Sequence, residues 1–241
     1  MTVGEIYKVL DGLSPFTLQA SWDNSGLIVG SMDQKVSKVV LSIDIDEALL
    51  EQVEEGSLII THHPLIFGGI KSMDYATYPS KLLVKMIEKR ISNIAMHTNF
   101  DQTHLNAYVA EKVLGKKIAE QNEYLVYFDV EKSFDEFSTE VAGAFGLTHP
   151  KSVVAHDRVI RRVALCTGSG ASLLREIEAD CFLTGDIKYH DAMEAKVLGL
   201  NMIDIGHFES ERYFGEILQK DLKNLGITVI ISSSKNPFTY L

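Results

Sequence analysis

Short runs rich in β-branched residues alternate with longer amphipathic stretches along this chain, and that alternation limits the folds it can adopt. The runs VSKVVLSID and GSLIITHH are typical of buried strands, and DEALLEQVEEG between them is typical of a helix. The second half repeats the pattern, beginning with RRVALCTG and DCFLTG. Strands separated by helices predict an α/β fold with mostly parallel sheets. With 46% of its 241 residues hydrophobic, the chain can bury the core of one large domain or two smaller ones.

The two halves of the chain also match in the residues that end their predicted strands. Asp44 and Thr61 end successive strands of the first half, and Thr167 and Thr184 occupy corresponding places at the same spacing. We interpret this match as an internal duplication that gives two similar α/β lobes. The predicted lobes are residues 1–123 and 124–241. The alternative for the C-terminal segment is that it returns to the first lobe. The alternative is that two unrelated series of strands and helices share these lengths.

A histidine and a carboxylate recur after the third predicted strand of each half. His97 begins HTNFD and His207 begins HFESE, so a carboxylate follows each histidine by four residues, at Asp101 and Glu211. Positions four apart share one face of a helix, so each pair can converge if a helix begins there. Ligands of open α/β sheets gather at the carboxyl ends of strands, where both pairs are predicted to lie.

Two adjacent histidines, His62 and His63, end another predicted strand in the segment THHPLIF. Successive side chains on a strand point to opposite faces, and Pro64 favours an extended backbone at His63 and a break in the strand. The two imidazoles are therefore suited to two different ions. Together with the histidine–carboxylate pairs they predict a centre for two divalent ions, with zinc, iron, manganese, cobalt and nickel all compatible. The alternative is that single histidines cap strands or bond to core carbonyls.

Charge and hydropathy argue against several classes of protein. Lysine and arginine number 23 against 33 acids, a net charge of -10 that disfavours nucleic acid as a partner. The N-terminal MTVGEIYKVLDGL lacks the apolar core of a signal peptide, and no apolar run approaches the roughly 20 residues of a membrane span. We interpret Cys166 and Cys181 as buried thiols in a reducing compartment, with a disulfide as the alternative. These features predict a cytoplasmic protein with no membrane partner.

Five segments together resemble the signature segments of the NIF-three-like family, whose members are often named GTP cyclohydrolase I type 2 homologues. They are WDNSGLIVG, THHPLIF, HTNFD, TGDIKYHDA and GHFESE, and the similarity runs from about Trp22 to the C-terminal NPFTY. The resemblance implies two interlocked α/β lobes with two divalent metals between them, in a ring-shaped homohexamer. Carried onto this chain, it implies that Glu211 is the bridging carboxylate and that the metal ligands are His62, His63, Asp101, His207 and Glu211.

Other polar residues of these segments are predicted to act beside the metals. Symmetry would make His97 a ligand, but the family pattern leaves it beside the site, so we interpret it, with Glu211, as catalytic. Asp191 either supports the site or caps the following helix. In WDNSGLIVG we favour a turn that enters a strand over a role for Trp22 and Asp23 in lining the cavity. The residues predicted to contact the substrate or support the ligands are Asp44, Lys188 and His190.

The ligand types and the family resemblance together predict a metal-dependent hydrolase. Its substrate is expected to be a small nucleotide-like or heterocyclic molecule, opened by a metal-activated water. The alternative is a non-catalytic metal-binding scaffold or interaction protein that forms a ring-shaped oligomer. Open coordination positions at the metals would favour catalysis, whereas a closed shell of protein ligands would favour a structural role.

Overall fold

The computed structural model describes residues 1–239, which form two compact units. The first unit contains residues 1–100 and 213–239, and the second contains residues 101–212. Each unit contains one β-sheet and several helices. Within the described residues, no helix is long and apolar enough to cross a membrane.

The helices and strands alternate along the chain as the sequence pattern predicts. The strands are β1 (Gly26–Val29), β2 (Lys38–Ser42), β3 (Leu58–Thr61), β4 (Ser92–Ala95), β5 (Ile118–Asn122), β6 (Leu125–Lys132), β7 (Ser152–Val153), β8 (Ile160–Leu165), β9 (Cys181–Thr184), β10 (Asn201–Asp204) and β11 (Thr228–Ile231). The α-helices are α1 (Val3–Leu13), α2 (Glu47–Gln52), α3 (Ser80–Glu88), α4 (Thr98–Phe100), α5 (Asn106–Tyr108), α6 (Phe134–Phe145), α7 (Tyr189–Leu198), α8 (His207–Glu211) and α9 (Phe214–Leu222). Short 3₁₀ turns lie at Phe16–Leu18 and Ala171–Glu176.

The sheet of the first unit has the strand order β1-β4-β3-β2-β11. Strands β4, β3, β2 and β11 run parallel, and β1 pairs antiparallel with β4. Every residue of β3 and β4 is buried, as expected for parallel strands covered on both faces. The register aligns Ser42 with Thr61 and Thr61 with Ala95. The residues that follow β2, β3 and β4 therefore all leave the sheet on the same side, at the carboxyl ends of these strands.

The sheet of the second unit has the strand order β5-β6-β8-β9-β10-β7. Strands β8, β9 and β10 are parallel neighbours, whereas β5, β6 and β7 pair antiparallel toward the margins of the sheet. The register aligns Leu165 with Leu183 and Thr184 with Asp204. The segments that follow β8, β9 and β10 therefore also begin side by side, at the carboxyl ends of these strands. The predicted α/β fold with two mostly parallel sheets is confirmed.

The two sheets have related strand orders, although the compact units do not divide where the predicted lobes do. The first sheet holds four adjacent parallel strands and the second holds three, and an antiparallel strand, β1 or β7, pairs with the last strand of each row. The chain passes from the first unit to the second between Phe100 and Asp101, ahead of the predicted boundary after residue 123. Strand β5 ends at Asn122 and pairs with β6 of the second sheet, which draws these residues into the second unit. Strand β11 pairs with β2, so the C-terminal strand lies in the first sheet.

A helical stretch follows β4 and carries the predicted ligand Asp101. It begins as α4, continues as the π-helical turn Asp101–Leu105, and ends with α5 and a second π-helical turn at Val109–Val113. A π-helical turn holds one extra residue and is frequent at functional sites. The Asn106 side chain donates to the carbonyl of Tyr124 at 3.0 Å and accepts from the Thr167 amide at 2.8 Å. These bonds fix the part of the stretch that begins at Asp101 within the second unit.

Helix α6 begins with a capping box formed by Ser133 and Glu136. The Glu136 amide donates to Ser133 Oγ at 3.3 Å, and the Ser133 amide donates to Glu136 Oε2 at 3.0 Å. We expect Ser133→Ala to lower the free energy of unfolding by about 1 kcal/mol, because the first turn loses its acceptor. Urea unfolding measures this loss. Ser152→Ala, at an exposed position of β7, is the control, and equal losses in the two variants would show that the cap contributes nothing.

Candidate metal centre

Three histidines of the first unit lie together at the carboxyl ends of β3 and β4. His62 and His63 follow β3 directly, and His97 follows β4. One ring nitrogen of each lies within 4.8 Å of the other two, and the ring centroids are 5.0, 5.2 and 5.4 Å apart. His62 and His97 are buried, and His63 is half-buried. Three imidazoles at such distances can bind one metal ion.

His62 and His63 both have Nδ1 engaged in a hydrogen bond to an oxygen. His62 Nδ1 lies 2.9 Å from the carbonyl oxygen of Met96, and His63 Nδ1 lies 2.9 Å from Asp44 Oδ1. Because a carbonyl and a carboxylate only accept, Nδ1 carries the ring proton and the lone pair lies on Nε2. Metal-binding histidines are commonly held in this way. Asp44, which the sequence predicted as a supporting residue, therefore contacts a predicted ligand.

The buried carboxylate of Asp23 holds His97 in place. The sequence pattern predicted only a turn in the segment that contains Asp23. His97 Nδ1 lies 2.8 Å from Asp23 Oδ1, and the Thr98 amide donates to Asp23 Oδ2 at 3.1 Å. Burial alone would raise the pKa of Asp23, but hydrogen bonds from His97 and Thr98 and the charge of His97 hold that pKa well below its usual range. Asp23 is thus an anion that orients His97. The hydrogen-bonded turn lies just before the predicted Asn-Ser-Gly, at residues 20–23, where the Asp23 amide donates to the carbonyl of Ala20 at 2.9 Å.

In the second unit, His207 and Glu211 lie on α8 and converge as their spacing predicted. His207 Nε2 lies 3.2 Å from Glu211 Oε2, and His207 Nδ1 lies 2.7 Å from Asp186 Oδ2. Asp186 has a φ of 54°, which lies in the left-handed region. This conformation is unfavourable for any residue other than glycine and is often found at functional sites. Asp186 therefore orients His207 in the same way that Asp44 orients His63.

Two buried carboxylates lie close together in the second unit. Carboxylate oxygens of Asp101 and Glu211 lie within 4.8 Å of one another, and Thr167 Oγ1 lies 3.3 Å from Asp101 Oδ1. Two buried acids at this distance repel each other, and a bound cation would relieve that repulsion. The pair, with His207, therefore suits a divalent ion that accepts both imidazole and carboxylate ligands.

The turn that follows β8 packs closely against Glu211. A Cβ atom on Gly168 would lie 2.2 Å from Glu211 Oε1 and 3.5 Å from His207 Nε2, so the carboxylate takes its position because this residue lacks a side chain. Burial, and then the charges of Asp101 and Glu211, raise the pKa of the Cys166 thiol well above its usual range. The Cys166 thiol is therefore protonated. Both cysteines are free and buried, as the sequence predicted.

Lys188 and His190, predicted to contact the substrate or support the ligands, are exposed at the start of α7. The His190 ring packs edge-on against Tyr189 with centroids 5.3 Å apart. Asp191 Oδ2 accepts a hydrogen bond from the Lys188 amide at 3.0 Å, so Asp191 caps the helix, as one of the two interpretations expected. A role for Lys188 and His190 at a substrate stays a prediction.

Comparison with protein-family models gives a match over residues 1–237 to the family described as Duf34/NIF3 (NGG1p interacting factor 3). Among curated proteins, the chain is 50% identical to the GTP cyclohydrolase 1 type 2 homolog of Campylobacter jejuni, and the match covers 100% of both chains. It is 40% identical to the GTP cyclohydrolase 1 type 2 of Helicobacter pylori strain J99, over 98% of this chain and 97% of the relative.

Solved structures share the fold over almost the whole chain. A hypothetical protein of Staphylococcus aureus matches with a TM-score of 0.87 and 28% identity, over 100% of this chain and 99% of the other. Reduced HcgD from Methanocaldococcus jannaschii matches with a TM-score of 0.82 and 26% identity, over 97% and 98% of the two chains. Both sheets and the residues that follow their strands therefore lie within the shared fold.

Proposed function

Since this chain belongs to the Duf34/NIF3 family, we propose that it is a metal-dependent hydrolase of the cyclohydrolase kind. The family predicted from the motif segments is confirmed. Its curated relatives carry the names GTP cyclohydrolase 1 type 2 and GTP cyclohydrolase 1 type 2 homolog, which support a small nucleotide-like or heterocyclic substrate and hydrolytic ring opening.

The observation that carries this proposal is the way the histidines are held. In His62, His63, His97 and His207, Nδ1 bonds to a carbonyl or carboxylate oxygen at 2.7–2.9 Å. In the neutral form of each ring, this bond places the proton on Nδ1 and the lone pair on Nε2, the same tautomer four times. A histidine that only fills a core needs no such repetition, whereas a histidine that binds a metal ion or carries a proton must present Nε2 to the site. The repeated pattern therefore supports metal binding.

We propose further that each chain binds two divalent ions. A bound divalent ion lowers the pKa of a water molecule toward neutrality and polarises the group that the water attacks. His97, held by Asp23, is suited to carry a proton to or from the substrate through Nε2. Glu211 is suited to bridge the two ions, because a carboxylate offers two oxygens. The proposed ligands, as the family resemblance implies, are His62, His63, Asp101, His207 and Glu211.

We also propose the assembly and location that the family resemblance and the composition imply. The chain would form a homohexamer, which mass measurement of the native protein tests. Two free, buried cysteines fit a reducing compartment such as the cytoplasm. The net charge of -10 favours a small-molecule substrate over nucleic acid.

The test is turnover of GTP and related nucleotides by protein loaded with zinc, manganese or iron. We expect wild type to consume the nucleotide and His63→Ala to lose at least 100-fold in kcat/KM, because the substitution removes a proposed ligand and leaves the Asp44 carboxylate without its imidazole. His149→Ala, which removes an exposed histidine, should keep full activity. Circular dichroism checks that both variants fold.

Two outcomes would contradict this proposal. If loaded wild-type protein turned over no member of a panel of nucleotides, phosphoesters and cyclic amides, the non-catalytic scaffold would be the better assignment. If His63→Ala kept both its metal and its activity, the proposed ligand set would be wrong.

A further inference from the structure

Two exposed aromatic rings, Trp22 and Phe67, lie beside His97 in the first unit. Trp22 is 60% exposed and Phe67 is 52% exposed. Their ring centroids are 5.7 Å apart, and the His97 ring lies edge-on to both, at 6.0 Å from Trp22 and 5.8 Å from Phe67. Large aromatic rings that stay exposed side by side are unusual away from binding sites. We refer to Trp22 and Phe67 as the aromatic pair.

The backbone that carries the aromatic pair is held in place by side-chain hydrogen bonds. Asn24 Nδ2 donates to the carbonyl of Ile66 at 2.6 Å, which ties the loop of Trp22 to the loop of Phe67. The Ala20 amide donates to Thr98 Oγ1 at 2.9 Å. Asp23, next to Trp22, is fixed by His97, as described above. The two rings are therefore presented on an organised backbone, and binding there costs little ordering of the loops.

We propose that the aromatic pair is a stacking site for the planar ring of a heterocyclic ligand, an inference that rests on the proposed function and assigns its substrate contact. The two rings already contact each other at 5.7 Å, so a ligand ring would stack on an outer face of the pair. Stacking on an aromatic side chain tolerates any flat heterocycle. A ring held there lies next to His97, the proposed proton carrier.

The neighbourhood of the aromatic pair favours a small polar heterocycle over a second copy of the chain. The pair contacts the imidazole of His97, and one ring nitrogen of His97 lies within 4.8 Å of ring nitrogens of His62 and His63. The core of an interface between protein copies is depleted in charged groups and is apolar. A purine base combines a stacking face with a hydrogen-bonding edge, and such an edge suits His97 Nε2, since Asp23 engages only His97 Nδ1.

Trp22 is the only tryptophan of the chain, so its fluorescence reports directly on this site. We expect guanosine and adenosine to quench the fluorescence of the metal-loaded protein in a saturable way. Ribose 5-phosphate, which has no planar ring, should leave it unchanged. Phe67→Leu should weaken guanosine binding about tenfold or more, because one stacking surface is lost, whereas Phe67→Tyr should bind as wild type does. Phe238→Leu, which removes a ring of 69% exposure elsewhere in the unit, is the matched control.

Metal content and native mass, measured on the same variants, separate this inference from the proposed function. Unchanged guanosine affinity in Phe67→Leu, or equal quenching by ribose 5-phosphate, would overturn the stacking site even if the protein proved to be a hydrolase. A lower native mass of Phe67→Leu with unaltered guanosine binding would also overturn it, and would assign the pair to contact between copies. Quenching that depends on Phe67 would support the site even if no nucleotide were hydrolysed.

Discussion

Glu211→Gln is expected to abolish retention of divalent metal, with an affinity loss of at least 100-fold. The substitution keeps the size of the side chain and removes its charge, and an amide is a much weaker ligand for a divalent ion than a carboxylate. A ligand present at 100 times its Kd stabilises the folded protein by about 2.7 kcal/mol. We therefore expect added zinc or manganese to raise the Tm of wild type by several degrees and to leave the Tm of Glu211→Gln unchanged.

The matched control for this prediction is Glu216→Gln, the same chemical change in an exposed ion pair. Glu216 bonds to Lys220 at 3.0 Å on the surface of α9. Its loss should cost little stability and leave metal binding intact, since exposed pairs contribute about 0–1 kcal/mol. Elemental analysis after gel filtration gives the number of ions per chain in each protein. Full metal content in Glu211→Gln would refute the assignment of Glu211 as a ligand.

Gly168→Ala is expected to displace Glu211 and thereby weaken metal binding, although Gly168 itself offers no side-chain ligand atom. The new Cβ would lie 2.2 Å from Glu211 Oε1, well inside van der Waals contact, so the carboxylate or the turn must move. Gly168 also has a φ of 64°, a conformation that costs an alanine about 1–2 kcal/mol. We expect a clear fall in Tm together with at least a tenfold loss of metal affinity.

Gly199→Ala separates the two causes of that loss. Gly199 ends helix α7 with a φ of 66°, nearly the same backbone conformation, and a Cβ added there would meet nothing within 4 Å. This variant should lose a similar conformational free energy and keep its metal. If the two glycine variants retained metal equally, the close contact between Gly168 and Glu211 would have no role in the site.

Local pattern was sufficient for much of the fold. The alternation of β-branched runs and amphipathic stretches predicted the strands that became β2, β3, β8 and β9, because burial on a strand requires apolar residues. The boundary between the units was predicted after residue 123, whereas the chain passes from the first unit to the second between Phe100 and Asp101. It depends on which sheet β5 joins and on where β11 returns, and both pairings are made with strands distant in the sequence.

Local spacing likewise predicted part of the site. His207 and Glu211 converge because residues four apart share a helix face, and His62 and His63 stand together at the end of β3. The role of Asp23 was missed, since its bond to His97 spans 74 positions and nothing in WDNSGLIVG points to that partner. The turn was expected at Asn-Ser-Gly, whereas the structure has a turn at residues 20–23, directly ahead of it.

The sequence by itself determined the α/β class, the histidines and acids that end the strands, and the family to which the chain belongs. Each of these depends on residue types, or on spacings short enough for helix and strand geometry to set. The tertiary structure decided which oxygen holds each imidazole, that Asp101 and Glu211 are buried within 4.8 Å of one another, and that Trp22 and Phe67 share one exposed site. Those contacts join segments far apart in the chain, and they exist because sheet register and loop hydrogen bonds bring the segments together.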